Sequence, residues 1–492
     1  MLNLSRTLVP PIHRPTAILV ASSSLLLWHS VANTGQRPYL RTRRWRWGFY
    51  VSRELAAALR VAVIGGGPAG SFFALHALKF ARQAGSRVSV TIYEPRDFWR
   101  PAQAGCNRCA GLVPPAVVDK FGELGISVPP ELIYSRIDRY SLNTSAGVLS
   151  AREADPRAQI IATYRGAGPR PGHPDGSIGF DGLMIEEAVS RGARLRRRAV
   201  QVVRRGQPVE VVSEGEGEYY DLAVLATGIN GNSPALDGFQ YQPPPTVSMC
   251  QTELYLGRSE VEARLGSGVR IFLPSDDIAT YGILIPKAPF VTASLLGPRK
   301  QMASMNRFLD LPEVRGVVGD GVRRLCGCLP SVSVGLAKHV CDDGFVAIGD
   351  AGATRLYKNG IGSALASAER AAWTAVNKGC TRSDFERFYV PLCREIDRDN
   401  LFGKLLFLEV PLLKHLSLVA RAHFRLAADG SRQAESDLQA RILWGMFTGA
   451  YPYRDLLRMA ATPRLAAQML LALAGSIGEG AGRRARKPRV QG

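Results

Sequence analysis

Residues 60–95, RVAVIGGGPAGSFFALHALKFARQAGSRVSVTIYEP, restrict the folds open to this chain more than any other stretch. Val61-Ala62-Val63-Ile64 is a short β-branched apolar run, the pattern of a strand buried on both faces of a parallel sheet. Gly65, Gly67 and Gly70 follow at the spacing of a strand-to-helix turn. The first glycine permits the turn, the second lets the backbone approach a pyrophosphate, and the third lets helix and strand pack closely. Pro68 and Ala69 open a helix predicted to reach about Gln83, and its N-terminal amides and dipole suit phosphate. SVTIYE then reads as a second strand ending at Glu94, 24 residues past Gly70, with Pro95 beyond it. A carboxylate there accepts both ribose hydroxyls and repels a 2′-phosphate, which favours FAD or NAD over NADP.

Two later stretches choose between those dinucleotides. DLAVLATGINGNSPAL (221–236) is an apolar strand ending in Ala226-Thr227-Gly228, small enough for the chain to cross close to a bound dinucleotide. GFVAIGDAGATRLYKNGIGSALASAERAA (344–372) is another apolar strand, ending in Gly349-Asp350 and followed by an alanine-rich helix. Asp350 can hold ribityl hydroxyls, and the amides of Gly360, Ile361 and Gly362 can face the N1/C2 carbonyl edge of a flavin. Any one of these is a βα turn of an ordinary α/β protein. Three in this order point to FAD.

The set resembles the FAD-dependent oxidoreductases of the p-hydroxybenzoate hydroxylase-like fold, over roughly residues 60 to 380. Within them it is most similar to the geranylgeranyl reductase group, in which an Arg-Pro after the ribose acid leads to Cys-Gly-Gly or Cys-Ala-Gly. Here Arg100-Pro101 leads to Cys109-Ala110-Gly111. The chain departs from that group in its extra Cys106, in Ile229-Asn230-Gly231 after the ATG turn, and in Tyr357-Lys358-Asn359 where hydroxylases carry a proline. The resemblance implies an α/β fold: an FAD-binding Rossmann-like domain over 59–245 and 341–380, with an inserted antiparallel β-sheet substrate domain over 246–340. A C-terminal helical region (381–478) and a basic tail (479–492) follow, and a basic extension (1–58) precedes.

The loop GCNRCAGLV (105–113) admits three readings. Structural zinc wants a second CxxC knuckle, whereas Cys326-Gly327-Cys328 has a different spacing and no histidine doublet, so no metal is expected. A thioredoxin-like dithiol wants a helix N-terminus directly after the pair, where Pro114-Pro115 predicts more loop. The third reading is a loop returning to the flavin ring, with Cys109 and Cys106 either catalytic or small packing residues.

In the second domain, VSMCQTELYLG, VRIFLP, TYGILIPK and FVTASLLG read as antiparallel strands. Tyr281, Gly282 and Pro286 are the expected substrate-pocket wall. After Gly379 the chain turns helical, with Pro411 expected to kink DNLFGKLLFLEVPLLKHLSLVARAHFRLA (399–427). These helices suit either a cap on the core or an interfacial helix on anionic lipid; no stretch is long and apolar enough to span.

The formal charge of +20 invites a nucleic-acid reading, but residues 1–60 carry +8 and residues 481–492 carry +5. Basic tails without a recognition helix or finger do not read bases, so no nucleic-acid partner is expected. Eight scattered cysteines suggest a reducing, cytoplasmic setting, with the protein peripheral on the membrane if its substrate is a lipid. The apolar run AILVASSSLLLW (17–28) is short for a span, and RTRRWRW behind it has the wrong polarity for a secretory leader. The function these features imply is reduction of C=C bonds in a small lipophilic, isoprenoid-like substrate, using electrons from NAD(P)H or a reduced protein. An FAD-dependent monooxygenase and a non-catalytic prenyl-binding escort are the rivals. No WxWxIP motif supports a halogenase.

Overall fold

The computed structural model describes residues 58–100, 105–106, 108, 110–144, 146–153, 155–169, 179–297, 301–357, 359–428 and 433–485. The N-terminal extension to residue 57, Pro101, Cys109 and the last seven residues lie outside these.

A six-stranded sheet forms the nucleotide half, in the order Cys341–Asp342, Phe345–Ala347, Leu222–Leu225, Leu59–Ile64, Val88–Tyr93, Arg194–Arg196. All neighbours are parallel except the edge hairpin Cys341–Asp342/Phe345–Ala347. Val61, Ala62 and Val63 are fully buried, as expected of a central parallel strand covered on both faces. The helix Pro68–Ala84 packs along Gly360–Asn377, and Phe72 and Phe73 on it are wholly out of solvent. Each such phenylalanine contributes about 2–3 kcal/mol of transfer free energy.

The same helix holds a liability. His76 is buried against Phe80, with ring centroids 5.6 Å apart, and burial pushes its pKa down from 6.5 to about 4. Between those values the unfolded chain takes up a proton that the folded chain refuses, so stability falls as pH drops from about 6.5 to about 4. His76→Phe is expected to remove roughly 2–3 kcal/mol of that acid loss, read as the difference in urea midpoint between pH 7 and pH 4.

The large second sheet runs Arg323–Arg324, Thr246–Tyr255, Phe290–Leu296, Tyr281–Lys287, Gly268–Phe272, Arg139–Thr144, Gly147–Arg152, with Ser331–Ser333 also paired to Thr246–Tyr255. Two of its strands therefore come from within 59–245, which the sequence assigned wholly to the nucleotide domain. Arg139–Thr144 pairs in parallel with Gly268–Phe272, a long-range match that no local pattern announces. Leu112–Val113, Ile160–Ala162 and Ser135–Ile137 make a small third sheet between the halves. The helix Pro115–Glu123 starts at once after Leu112–Val113, where the sequence predicted more loop; Pro115 sits at its first position, where a missing N–H costs nothing.

The C-terminal helices are bolted to the Asp350 turn. Asn400 accepts the Leu356 N–H at 2.7 Å and donates to the Thr354 carbonyl at 2.9 Å, and the Tyr453 hydroxyl donates to the Leu356 carbonyl. The predicted kink falls at Leu408, between helices Val390–Phe407 and Glu409–His415, which leaves Pro411 in a first turn that needs no N–H. The last helix, Pro463–Ala485, runs past the boundary at 478. Among the described residues, no helix is long and apolar enough to cross a membrane.

Candidate functional site

A cavity of about 1000 Å³ lies where the two large sheets meet. Gly65, Gly67, Pro68 and Ala69 form one wall, Glu94 and Pro95 another, Ala226-Thr227-Gly228 a third, and Asp350, Gly360 and Ile361 a fourth. Three of the glycines serve different ends. Gly65 has φ +106°, and a Cβ on it would lie 2.6 Å from the Ala226 carbonyl oxygen. A Cβ on Gly70 would lie 1.9 Å from the Gly65 carbonyl oxygen. A Cβ on Gly67 would lie 3.2 Å from Arg165 Nη2 and 4.0 Å from Asp181 Oδ2, so this glycine faces a guanidinium rather than backbone. A glycine facing a guanidinium beside a helix N-terminus fits the close approach of a diphosphate.

Glu94 is 1% exposed and receives the Gly66 N–H at 2.9 Å. Arg96 reaches the same carboxylate through its backbone N–H and its Nε, both at 3.0 Å. Arg96, for which sequence reasoning had no signal, thus clamps Glu94 and lines the cavity beside it. Arg100 does neither: it is an exposed side chain 3.8 Å from Asp97 and off the cavity wall.

Arg165 is the second residue that sequence reasoning missed. It donates to the fully buried Asp181 through Nε at 3.0 Å and Nη2 at 2.7 Å. Held there, it faces Gly67 and opposes the rise that burial imposes on the Asp350 pKa. Its charge is therefore aimed at the junction of the glycine loop and Asp350. Asp181→Ala should cost about 3–5 kcal/mol in urea unfolding, since it strands a mostly buried guanidinium.

Asn359 sits in the left-handed region at φ +57° and caps the helix Gly360–Asn377, its Oδ1 accepting the Gly362 N–H at 2.9 Å. The Gly362 amide is thereby spent on the cap rather than turned to a ligand, leaving Gly360 and Ile361 on the wall. Gly349 is also off the wall; its N–H donates to Ser367 and its Cα packs on Ala69.

Cys106 lies on the cavity wall with Cys326 and Cys328, segments more than two hundred residues apart. Burial pushes Cys326 up to about 11 and Cys328 up to about 12, and the neighbouring Cys106 adds to the rise of both. Both stay protonated at neutral pH and are weak nucleophiles. Among the described residues, no group of three or more His, Cys, Asp or Glu is arranged to hold a metal ion.

On the second sheet, Tyr281 lines the cavity but Gly282 and Pro286 do not. Strand residues alternate faces, so Ile283 shares the wall with Tyr281, and Gly282 turns towards Phe308 and Leu295 in the core behind. By the same alternation Met249, Gln251 and Glu253 face the cavity. Glu253, 5% exposed, accepts the Tyr164 hydroxyl at 2.9 Å and the Thr292 hydroxyl at 2.9 and 2.8 Å. Burial pushes its carboxyl above the ordinary range against the pull of Lys287, Thr292 and Tyr164. Lys287 is fully buried with Nζ 4.2 Å from the Tyr164 ring centre, and a Cβ on Gly111 would come within 3.3 Å of it. The arrangement places a carboxyl whose pKa burial raises on the cavity wall. Polar residues at alternate positions of CQTELY were the available signal.

A second, mainly apolar chamber of about 330 Å³ adjoins the first, and Tyr281 and Phe447 line both. It lies between the 139–152 hairpin and the C-terminal helices.

No family profile and no curated protein sequence matches the chain. Solved structures do. A flavoprotein/dehydrogenase from Cytophaga hutchinsonii superposes at TM-score 0.59 and 14% identity, over 86% of this chain and 100% of that one. The flavin-dependent monooxygenase PieE, solved with FAD and substrate, matches at TM-score 0.51 and 15% identity over 86% and 72%. The flavin-dependent halogenase CmlS matches at 0.50 and 16% over 82% and 76%. At these identities the likeness concerns architecture, and the chain has the mixed α/β fold of these flavoproteins.

Proposed function

We propose that the chain is an FAD-dependent oxidoreductase that reduces C=C bonds of a lipophilic, isoprenoid-like substrate. Gly65, Gly67, Glu94, Arg165, Ala226 to Gly228, Asp350, Gly360 and Ile361 would hold the cofactor, whose reduced form supplies hydride. The observation that carries the reductase reading is Glu253. Saturating an alkene needs a proton at the carbon opposite the hydride, and a buried carboxyl whose pKa burial raises is suited to give one. Tyr164 and Thr292 fix that carboxyl, and Lys287 behind Tyr164 limits how far its pKa rises. The apolar chamber beyond Tyr281 and Phe447 supports a hydrocarbon substrate. The sequence has one GxGxxG strand–helix turn, so NAD(P)H would bind transiently or a reduced protein would serve as donor.

A second reading, oxygen-dependent hydroxylation, draws on the activity described for PieE on the same architecture. Anaerobic photoreduction of the flavin-loaded protein, followed by mixing with a panel of polyprenyl compounds, separates the two. Reoxidation by an alkene without oxygen is the expected result. Reoxidation by oxygen alone, with an oxygenated product, would establish the hydroxylase instead.

A further inference from the structure

Leu401, Leu405, Leu408, Leu412 and Leu416 recur every three or four residues along the paired helices Val390–Phe407 and Glu409–His415. That spacing places them on one stripe. Each is between 47% and 63% exposed, far more than leucines on a helix that packs on a core. Between 401 and 416 the exposed polar side chains are Lys404 and His415, the latter bonded to exposed Asp276 at 2.8 Å, and exposed Arg398 and Arg394 stand upstream with exposed Glu395 between them. The opposite face of the same helices is buried through Leu406, Val410 and Leu413, and Val410 and Leu413 wall the apolar chamber. One helical layer thus carries an unpartnered apolar row outside and the hydrocarbon-sized chamber inside.

We infer that this leucine row is a docking surface for an anionic phospholipid bilayer. An apolar stripe with Lys404 on its border and Arg398 and Arg394 at its upstream end matches an interface that is hydrocarbon below and negatively charged at the headgroups. Docking there sets the chamber, one helix thickness away, against the acyl region. Only the use of that placement, delivery of a lipophilic substrate towards Tyr281 and Phe447, rests on the reductase reading.

The test is sedimentation of the full chain with vesicles of phosphatidylcholine alone or phosphatidylcholine with phosphatidylglycerol. The full chain should bind the phosphatidylglycerol vesicles. Leu405→Glu combined with Leu408→Glu should lower the partition coefficient about tenfold or more. Both positions point to solvent, so circular dichroism and the thermal midpoint should match the parent. Three results would each overturn the inference: no sedimentation of the full chain, as when another segment covers the row; unchanged binding by the double variant; or loss of binding only when the arginines at 41–46 and 483–489 are neutralised. Failure of the flavin to react with any alkene would leave vesicle binding untouched, so the two readings fail separately.

Discussion

Glu253→Gln is expected to keep the flavin and lose the reaction. An amide of the same shape preserves the contacts with Tyr164 and Thr292 but gives up no proton at useful rates. Removing a positioned general acid typically lowers turnover about 10²–10⁴-fold, which corresponds to about 3–5 kcal/mol of barrier. Single-turnover reoxidation of reduced flavin by an alkene measures this directly. The pH dependence has a definite sign. Glu253 acts protonated, and its pKa is raised by burial, so the parent rate should hold through the acidic range and fall as rising pH strips the proton. The Gln variant should lack that limb. Tyr164→Phe should move the limb without abolishing it, because the hydroxyl favours the ionised carboxyl that it bonds. In deuterated solvent the parent should place one deuterium on the product carbon opposite the hydride. A Gln variant with parental rate and pH profile would remove Glu253 from the chemistry and leave it a buried structural acid.

Glu253 was within reach of the sequence and still missed, and the reason applies more widely. The nucleotide half was legible because its signals are local: a β-branched run, three glycines and a terminal acid all lie within 35 residues. The second half is built from pairings between distant strands. Arg139–Thr144 beside Gly268–Phe272 and Cys106 beside Cys326 and Cys328 bring together residues more than a hundred positions apart. Without that register, the face of each strand was a free choice, and a wall of Tyr281, Gly282 and Pro286 mixes the two faces. Tyr281 belongs to the cavity and Gly282 to the core behind. Asn359 teaches the reverse. In the sequence it stood only as a departure from the hydroxylase proline, yet an asparagine tolerates φ +57° and caps the helix that faces Asp350.

Gly67 and Gly70 belong to one motif, and substitution should separate their duties. Gly70→Ala drives a methyl to 1.9 Å from the Gly65 carbonyl oxygen and 3.0 Å from Val63 Cγ1, so backbone must move. Overpacking of this kind costs about 1–3 kcal/mol, and urea unfolding of the flavin-free protein should show it. Gly67→Ala sets its methyl 3.2 Å from Arg165 Nη2, a contact that a shift of a few tenths of an ångström in the Arg165–Asp181 pair relieves without moving backbone, so the flavin-free variant should lose less stability than Gly70→Ala. The methyl instead fills the space where a diphosphate approaches the backbone. Its effect should appear in a titration with FAD, followed by quenching of flavin fluorescence, as a loss of affinity on the order of a hundredfold, or about 3 kcal/mol. The two variants thus distinguish a turn that folds the strand to the helix from a turn that holds a cofactor. If Gly67→Ala bound FAD as tightly as the parent, the face of this glycine would not be a diphosphate site, and the assignment of the cavity to a dinucleotide would fall with it.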